Sequence, residues 1–193
     1  MQPHKALLPI VLFCASRGVC FAADVAEPSA PFRAWEYIVI HHSATLVGSA
    51  DVFDTAHRAR GMTHGLAYHF VIDNGTRGTT DGCVEIGDRW FQQLPGGHCK
   101  QETTNERAIG ICLVGDFSEH EPTAQQMEAL IQLVRALQDR FQIEDDYIVG
   151  HGELSGESTE CPGDRFSWDT LWARLHTGPT LTASSAAPPN PTP

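Results

Sequence analysis

Positive charge is scarce in this chain: 13 Lys and Arg stand against 24 Asp and Glu over 193 residues, a formal net charge of −11. No basic stripe makes a local exception, and an acidic surface repels phosphate backbones, which speaks against nucleic acid as a partner. Long apolar runs are missing as well. The stretch from Ala6 to Ala15 is about ten residues, where a bilayer span needs about 20, so no transmembrane segment is expected. Internal repeats are absent, and no lipid-attachment signature precedes Cys20.

With 41% hydrophobic and 19% charged residues, a chain of this length buries one ordinary core, so a single domain is expected. Residues 1–22 begin with a positive charge at Lys5, continue through the short apolar run and end in the small-residue exit Cys20-Phe21-Ala22. That is the layout of a signal peptide, and it predicts a secreted or periplasmic protein. Loss of Lys5 and Arg17 with the signal takes the formal charge from −11 to −13. Four cysteines then remain: Cys83, Cys99, Cys112 and Cys161. In an oxidising compartment thiols pair, but Cys112 lies inside the apolar run Ile109 to Val114 and reads as a buried free thiol. Cys83 with Cys99 is left as the candidate disulfide, closing a loop worth roughly 3 kcal/mol.

Residues 23–36 read as a leader segment and residues 177–193, rich in Pro, Ala, Ser and Thr, as a disordered tail. Between them, Tyr37 to Ile40 is apolar without alternation, which suits a strand buried on both faces that delivers His41 at its carboxyl end. Ser49 can cap a helix carrying Val52, Phe53 and Ala56, stopped by Gly61. Leu66 to Ile72 reads as a second strand with Tyr68 on it, followed by the turn Asp73-Asn74-Gly75 and further extended chain. Ala108 to Val114 is a third strand. Thr123 and Gln126 form a capping box ahead of Met127, Leu130, Ile131, Val134, Leu137 and Phe141 at helical spacing. Tyr147 to Val149 is a short strand placing His151 just past its end, and Trp168 to Leu175 is a last helix. Strands interspersed with helices define an α/β domain with a central mixed sheet flanked by helices. In such sheets ligands gather beyond the carboxyl ends of strands.

His41 and His151 both stand there, so residues 110 positions apart can converge, and Cys161 follows His151 by ten. Two imidazoles and a thiolate are zinc donors, and three protein ligands leave a place for water. Each residue has a plainer reading. A histidine at a strand end can be structural; Cys161 can pair with Cys112, remain a free thiol, or act as a nucleophile activated by His151. His42 adjoins His41 but points to the opposite face of a strand. Glu153, near His151, is a candidate to hydrogen-bond that imidazole and hold its orientation.

Taken together, Ile40-His41-His42-Ser43-Ala44-Thr45, Ala67-Tyr68-His69-Phe70-Val71-Ile72, Gly97-His98, Asn105 with Ala108-Ile109-Gly110-Ile111, and His151 with Cys161-Pro162-Gly163 resemble the zinc-dependent N-acetylmuramoyl-L-alanine amidases. Their superfamily also holds the phage amidases and the peptidoglycan recognition proteins. The resemblance runs from about Tyr37 to Leu175 and sets an amidase domain at 37–176. It implies a zinc ion (Zn2+) held by His41, His151 and Cys161, with Tyr68 and Thr159 assisting catalysis, Thr159 standing where phage members carry lysine. It implies peptidoglycan or muropeptides as the partner, with His42, His98 and Asn105 toward the substrate, and His57 and His69 as structural residues. Members that bind peptidoglycan without cutting it typically lack the cysteine, so Cys161 favours an enzyme over a non-catalytic binding module. A cysteine hydrolase built on Cys161 and His151 is the other alternative. The run Cys99 to Thr104 departs from the family's usual pattern.

Overall fold

The computed structural model describes residues 25–177. The signal peptide read at 1–22 and the tail read beyond 177 lie outside the described residues. Five strands form one sheet in the order β3-β2-β4-β1-β5: β1 is Tyr37–His42, β2 Phe70–Asn74, β3 Asp81–Ile86, β4 Ala108–Leu113 and β5 Ile148–Gly150. The four strands from β2 to β5 across the sheet run parallel, and β3 pairs antiparallel at the edge. The sheet is mixed and flanked by helices, as its sequence pattern predicts. Among the described residues no helix is long and apolar enough to cross a membrane.

The main core fills one face. Ile38, Ile40, Phe70, Ile72, Ile109, Ile111 and Leu113 point to helix α4, Ala124–Phe141, which buries Leu130, Ile131, Val134 and Leu137 against them. Each such side chain contributes roughly 1.5–3 kcal/mol on burial. The capping box is present, with Thr123 Oγ1 accepting the Gln126 N–H and Gln126 Oε1 accepting the Thr123 N–H. Helix α5, Trp168–His176, packs beside it. The opposite face carries a smaller cluster of Leu66, Val71 and Val114 with Phe53 of α1, Ala50–Ala59. Ser49 caps α1 by accepting the Val52 N–H.

Two expectations change, and two short helices are added. Leu66 to His69 is not strand: the Leu66 N–H goes to Asp54 Oδ1 and the Ala67 N–H to His57 Nδ1, so α1 side chains take the donors a ladder would use. The short helices α2, Asp88–Phe91, and α3, Glu102–Arg107, have no apolar period to announce them. The segment read as a leader is docked. Trp90 Nε1 donates to the Ala26 carbonyl, Ser29 bonds Phe91, and Trp35 is core, its Nε1 donating to Gln93 Oε1.

One buried acid has consequences for stability. Asp73 on β2 is fully buried beside the Glu85 carboxyl of β3. Burial first, then the Glu85 carboxyl beside it, push Asp73 up to about 8. Asp73 therefore carries a proton beside Glu85 across the β2–β3 pair. The folded state holds this proton from about pH 4 to about 8 while the unfolded chain releases it, so this contribution to stability is full below about pH 4 and falls as pH rises through that window. Denaturation of wild type between pH 4 and 8 should show a loss of up to about 1.4 kcal/mol per pH unit from this site, and Asp73→Asn should flatten it.

Candidate metal centre

Strand alternation decides which face holds chemistry. Because Ile38 and Ile40 face α4, Val39 and His41 face the other side, together with Gly110 and Cys112 of the neighbouring β4. His41, fifth of the six residues in β1, is 2% exposed. Strand β5 runs parallel beside β1 and ends at Gly150, and the chain then enters a 3-10 turn, His151–Glu153. His151 thus arrives past the end of the adjacent strand. The return of residues 159–161 is clipped to that turn by the Gly152 N–H donating to the Cys161 carbonyl at 2.7 Å. A Cβ on residue 152 would stand 2.3 Å from the Thr159 carbonyl oxygen, so this approach requires glycine. The His42 N–H then donates to Cys161 Sγ at 3.3 Å.

These connections bring donor atoms of His41, His151 and Cys161 within 4.8 Å of one another. His41 Nδ1 and Cys161 Sγ are 3.8 Å apart, near the roughly 3.6 Å separating nitrogen from sulfur on a tetrahedral zinc. Burial foremost, then His98 and His151, hold the His41 pKa well below the usual histidine value. Burial also lowers His151 against the opposing pull of Glu157. Both imidazoles are therefore neutral, the form that binds a metal. Burial pushes the Cys161 thiol up to about 11 despite the His42 N–H. Thiolate is scarce at that value near neutral pH, which weakens a cysteine nucleophile, whereas a dication in contact deprotonates a thiol outright. The donor set fits zinc.

Tyr68 closes the site. Its ring lies 5.2 Å from the His41 ring and stacks on His98 at 6.3 Å. Burial, then Cys112 and Cys161, raise its pKa well above the usual phenol range. The phenol keeps its proton and remains a donor. Thr159 is exposed, and its Oγ1 accepts the Cys161 N–H at 3.2 Å while its own hydrogen is left to donate.

The three residues expected toward substrate are drawn inward. His98 is 7% exposed, with Nδ1 3.1 Å from His41 Nε2. Its ring lies over Gly110, where any Cβ would approach it to 2.3 Å. Asn105 brackets the loop below it: Oδ1 accepts the His98 and Cys99 N–H groups, and Nδ2 donates to the Cys99 carbonyl. His42 turns to the other face, where Nδ1 accepts the Phe117 N–H. His57 and His69 are structural as read, His69 Nδ1 accepting the Gly110 N–H with its Nε2 against the Leu94 carbonyl. Burial takes His69 down to about 3.

The Cys83–Cys99 bridge is not formed. Cys83 lies on edge strand β3, three strand spacings from β1, roughly 14 Å. Cys99 turns to the metal centre, its Sγ 3.1 Å from His98 Nδ1, and a disulfide tolerates about 7 Å between Cα atoms at most. Cys112 is a buried thiol, as its apolar run predicts. Glu153 does not support His151; its carboxylate accepts the Gly150 N–H at 2.5 Å. Glu157 takes that place, with Oε2 3.1 Å from His151 Nε2. Sequence reading missed it because three glutamates lie between the two ligands and only the loop's path distinguishes them.

A parallel-centred mixed sheet with this cluster past its strand ends is the construction of the type-2 amidase and peptidoglycan recognition protein superfamily. Over residues 31–164 the chain matches the family described as N-acetylmuramoyl-L-alanine amidase, and it belongs to that family. It is 30% identical to the solved N-acetylmuramoyl-L-alanine amidase LysC from Clostridium intestinale URNW, covering 80% of this chain and 95% of that one with a TM-score of 0.64. It is 26% identical over 140 residues to peptidoglycan-recognition protein 2 of Holotrichia diomphalia, 66% of this chain and 67% of that one. Against peptidoglycan-recognition protein SC2 of Drosophila melanogaster it is 26% identical over 193 residues, 90% of this chain and 96% of that one.

Proposed function

We propose that this chain is a zinc-dependent hydrolase that cleaves the amide between the lactyl group of N-acetylmuramic acid and L-alanine of the peptidoglycan stem peptide. The convergence of His41, His151 and Cys161 at the carboxyl ends of β1 and β5 carries this reading. Zinc on two neutral imidazoles and one thiolate supplies Lewis acidity that polarises a carbonyl and lowers the pKa of water to roughly 7. His98 orients His41 through its outward nitrogen. Tyr68, held protonated, donates to the oxygen that gains charge as water adds to the lactyl carbonyl carbon, and Thr159 supplies a second, uncharged donor. The C–N bond then breaks, the carbonyl carbon leaves as a carboxylate, and L-alanine departs as the amine with a proton from the water.

Export through the segment read at 1–22 agrees with a polymer that lies outside the inner membrane. The retained Cys161 favours catalysis over a binding module, and its raised thiol pKa disfavours a cysteine hydrolase. Purified protein incubated with muropeptides should release free stem peptides, lose this activity with a chelator and regain it with zinc. Products of glycosidic or peptide–peptide cleavage refute the bond assignment. Ligand affinity without turnover in zinc-supplemented buffer favours the binding module, and inactivation by thiol alkylation of zinc-free protein favours the cysteine hydrolase.

A further inference from the structure

Of the three glutamates between His151 and Cys161, one turns inward. Glu157 has a side chain only 3% exposed, and both of its oxygens are engaged. Oε1 accepts the Lys100 N–H at 2.6 Å, while Oε2 stands 3.1 Å from His151 Nε2 and 3.8 Å from Lys100 Nζ. A further contact, Gln101 Nε2 donating to the Ser155 carbonyl at 2.6 Å, ties the same two loops together. These residues lie in the stretch after His98 that departs from the family's usual pattern. A carboxylate this far from water is costly unless charged or donor groups surround it, so its burial implies a matched partner. His151 Nε2 is the group it approaches, at 3.1 Å, and among the described residues this buried nitrogen has no hydrogen bond as it stands, so a small turn of the ring toward Oε2 would supply the one it lacks.

We propose that Glu157 is a positioning residue for His151, holding Nε2 as the protonated nitrogen so that Nδ1 presents its lone pair to the zinc ion, with Lys100 and Gln101 strapping the carboxylate in place. This rests on the zinc reading of the site. An imidazole nitrogen that donates its proton to a carboxylate cannot bind a cation, so the group on one nitrogen decides which atom becomes the ligand. His41 is arranged alike, with His98 at Nε2 and Cys161 at Nδ1.

The test is zinc affinity, measured by titrating metal-free protein against a chromophoric chelator. Glu157→Ala should weaken zinc binding by 10–100-fold. Glu157→Gln, whose amide oxygen still accepts the Nε2 proton, should lose less. Glu160→Gln removes the same charge from an exposed position in the same loop and should match wild type, separating contact from long-range charge. Thermal melts of the metal-free variants check that each folds. Equal affinity in Glu157→Ala and wild type overturns this inference alone, whereas wild type that takes up no zinc overturns it together with the hydrolase reading. X-ray absorption placing the ion on Cys99, His151 and Glu157, whose donor atoms also lie within 4.8 Å of one another, overturns it as well.

Discussion

On the zinc-hydrolase reading, Cys161→Ala should leave the purified protein without stoichiometric zinc and lower kcat/KM on muropeptides by at least about 10³-fold, or about 4 kcal/mol of transition-state stabilisation. The effect is large because the thiolate is one of three donors and carries the centre's ligand charge. The remaining imidazoles are neutral, held that way by burial. The fold should tolerate the change, since among the described residues the polar contacts of Sγ are to the His42 N–H, the His42 carbonyl and His41. Metal analysis beside a melting curve separates loss of metal from loss of structure. A Cys161→Ala protein that keeps both zinc and activity removes this residue from the coordination sphere. One that loses activity from a zinc-free wild type points instead to the thiol as nucleophile.

Tyr68→Phe should lower kcat by about 10²–10³, equivalent to roughly 2.7–4 kcal/mol, with zinc content unchanged. The ring's contacts with His41, His57 and His98 survive the substitution, so positioning is preserved and one donor is deleted. The discriminating measurement is a kcat and KM determination on one muropeptide. A fall in kcat at constant KM marks a group that acts in the transition state; a rise in KM alone reassigns Tyr68 to substrate binding.

Elements whose reasons are local were legible in the chain. Helix α4 announces itself through Thr123, Gln126 and its apolar stripe, and β1 and β4 through unbroken apolar runs, because capping and periodicity act between near neighbours. The mistaken strand at Leu66 to His69 has the opposite origin: Asp54 and His57, twelve and ten residues upstream of their partners, take its N–H groups. The candidate metal ligands were legible as types and as blocks, but the direction of each side chain was not. His42, His98 and Asn105 belong to the right motifs, and the fold turns them toward Phe117, His41 and the Cys99 loop.

Sequence by itself determined the α/β class, the strand ends that carry His41 and His151, and the donor chemistry of His, His and Cys. Tertiary structure alone decided that Glu157 rather than Glu153 meets His151, that Cys99 turns to His98 and not to Cys83, and that Asp73 keeps a proton beside Glu85. The physical reason is range. Propensity, period and capping operate over a few residues, whereas the partner of a buried polar group is set by which loops and strands the closed sheet brings together.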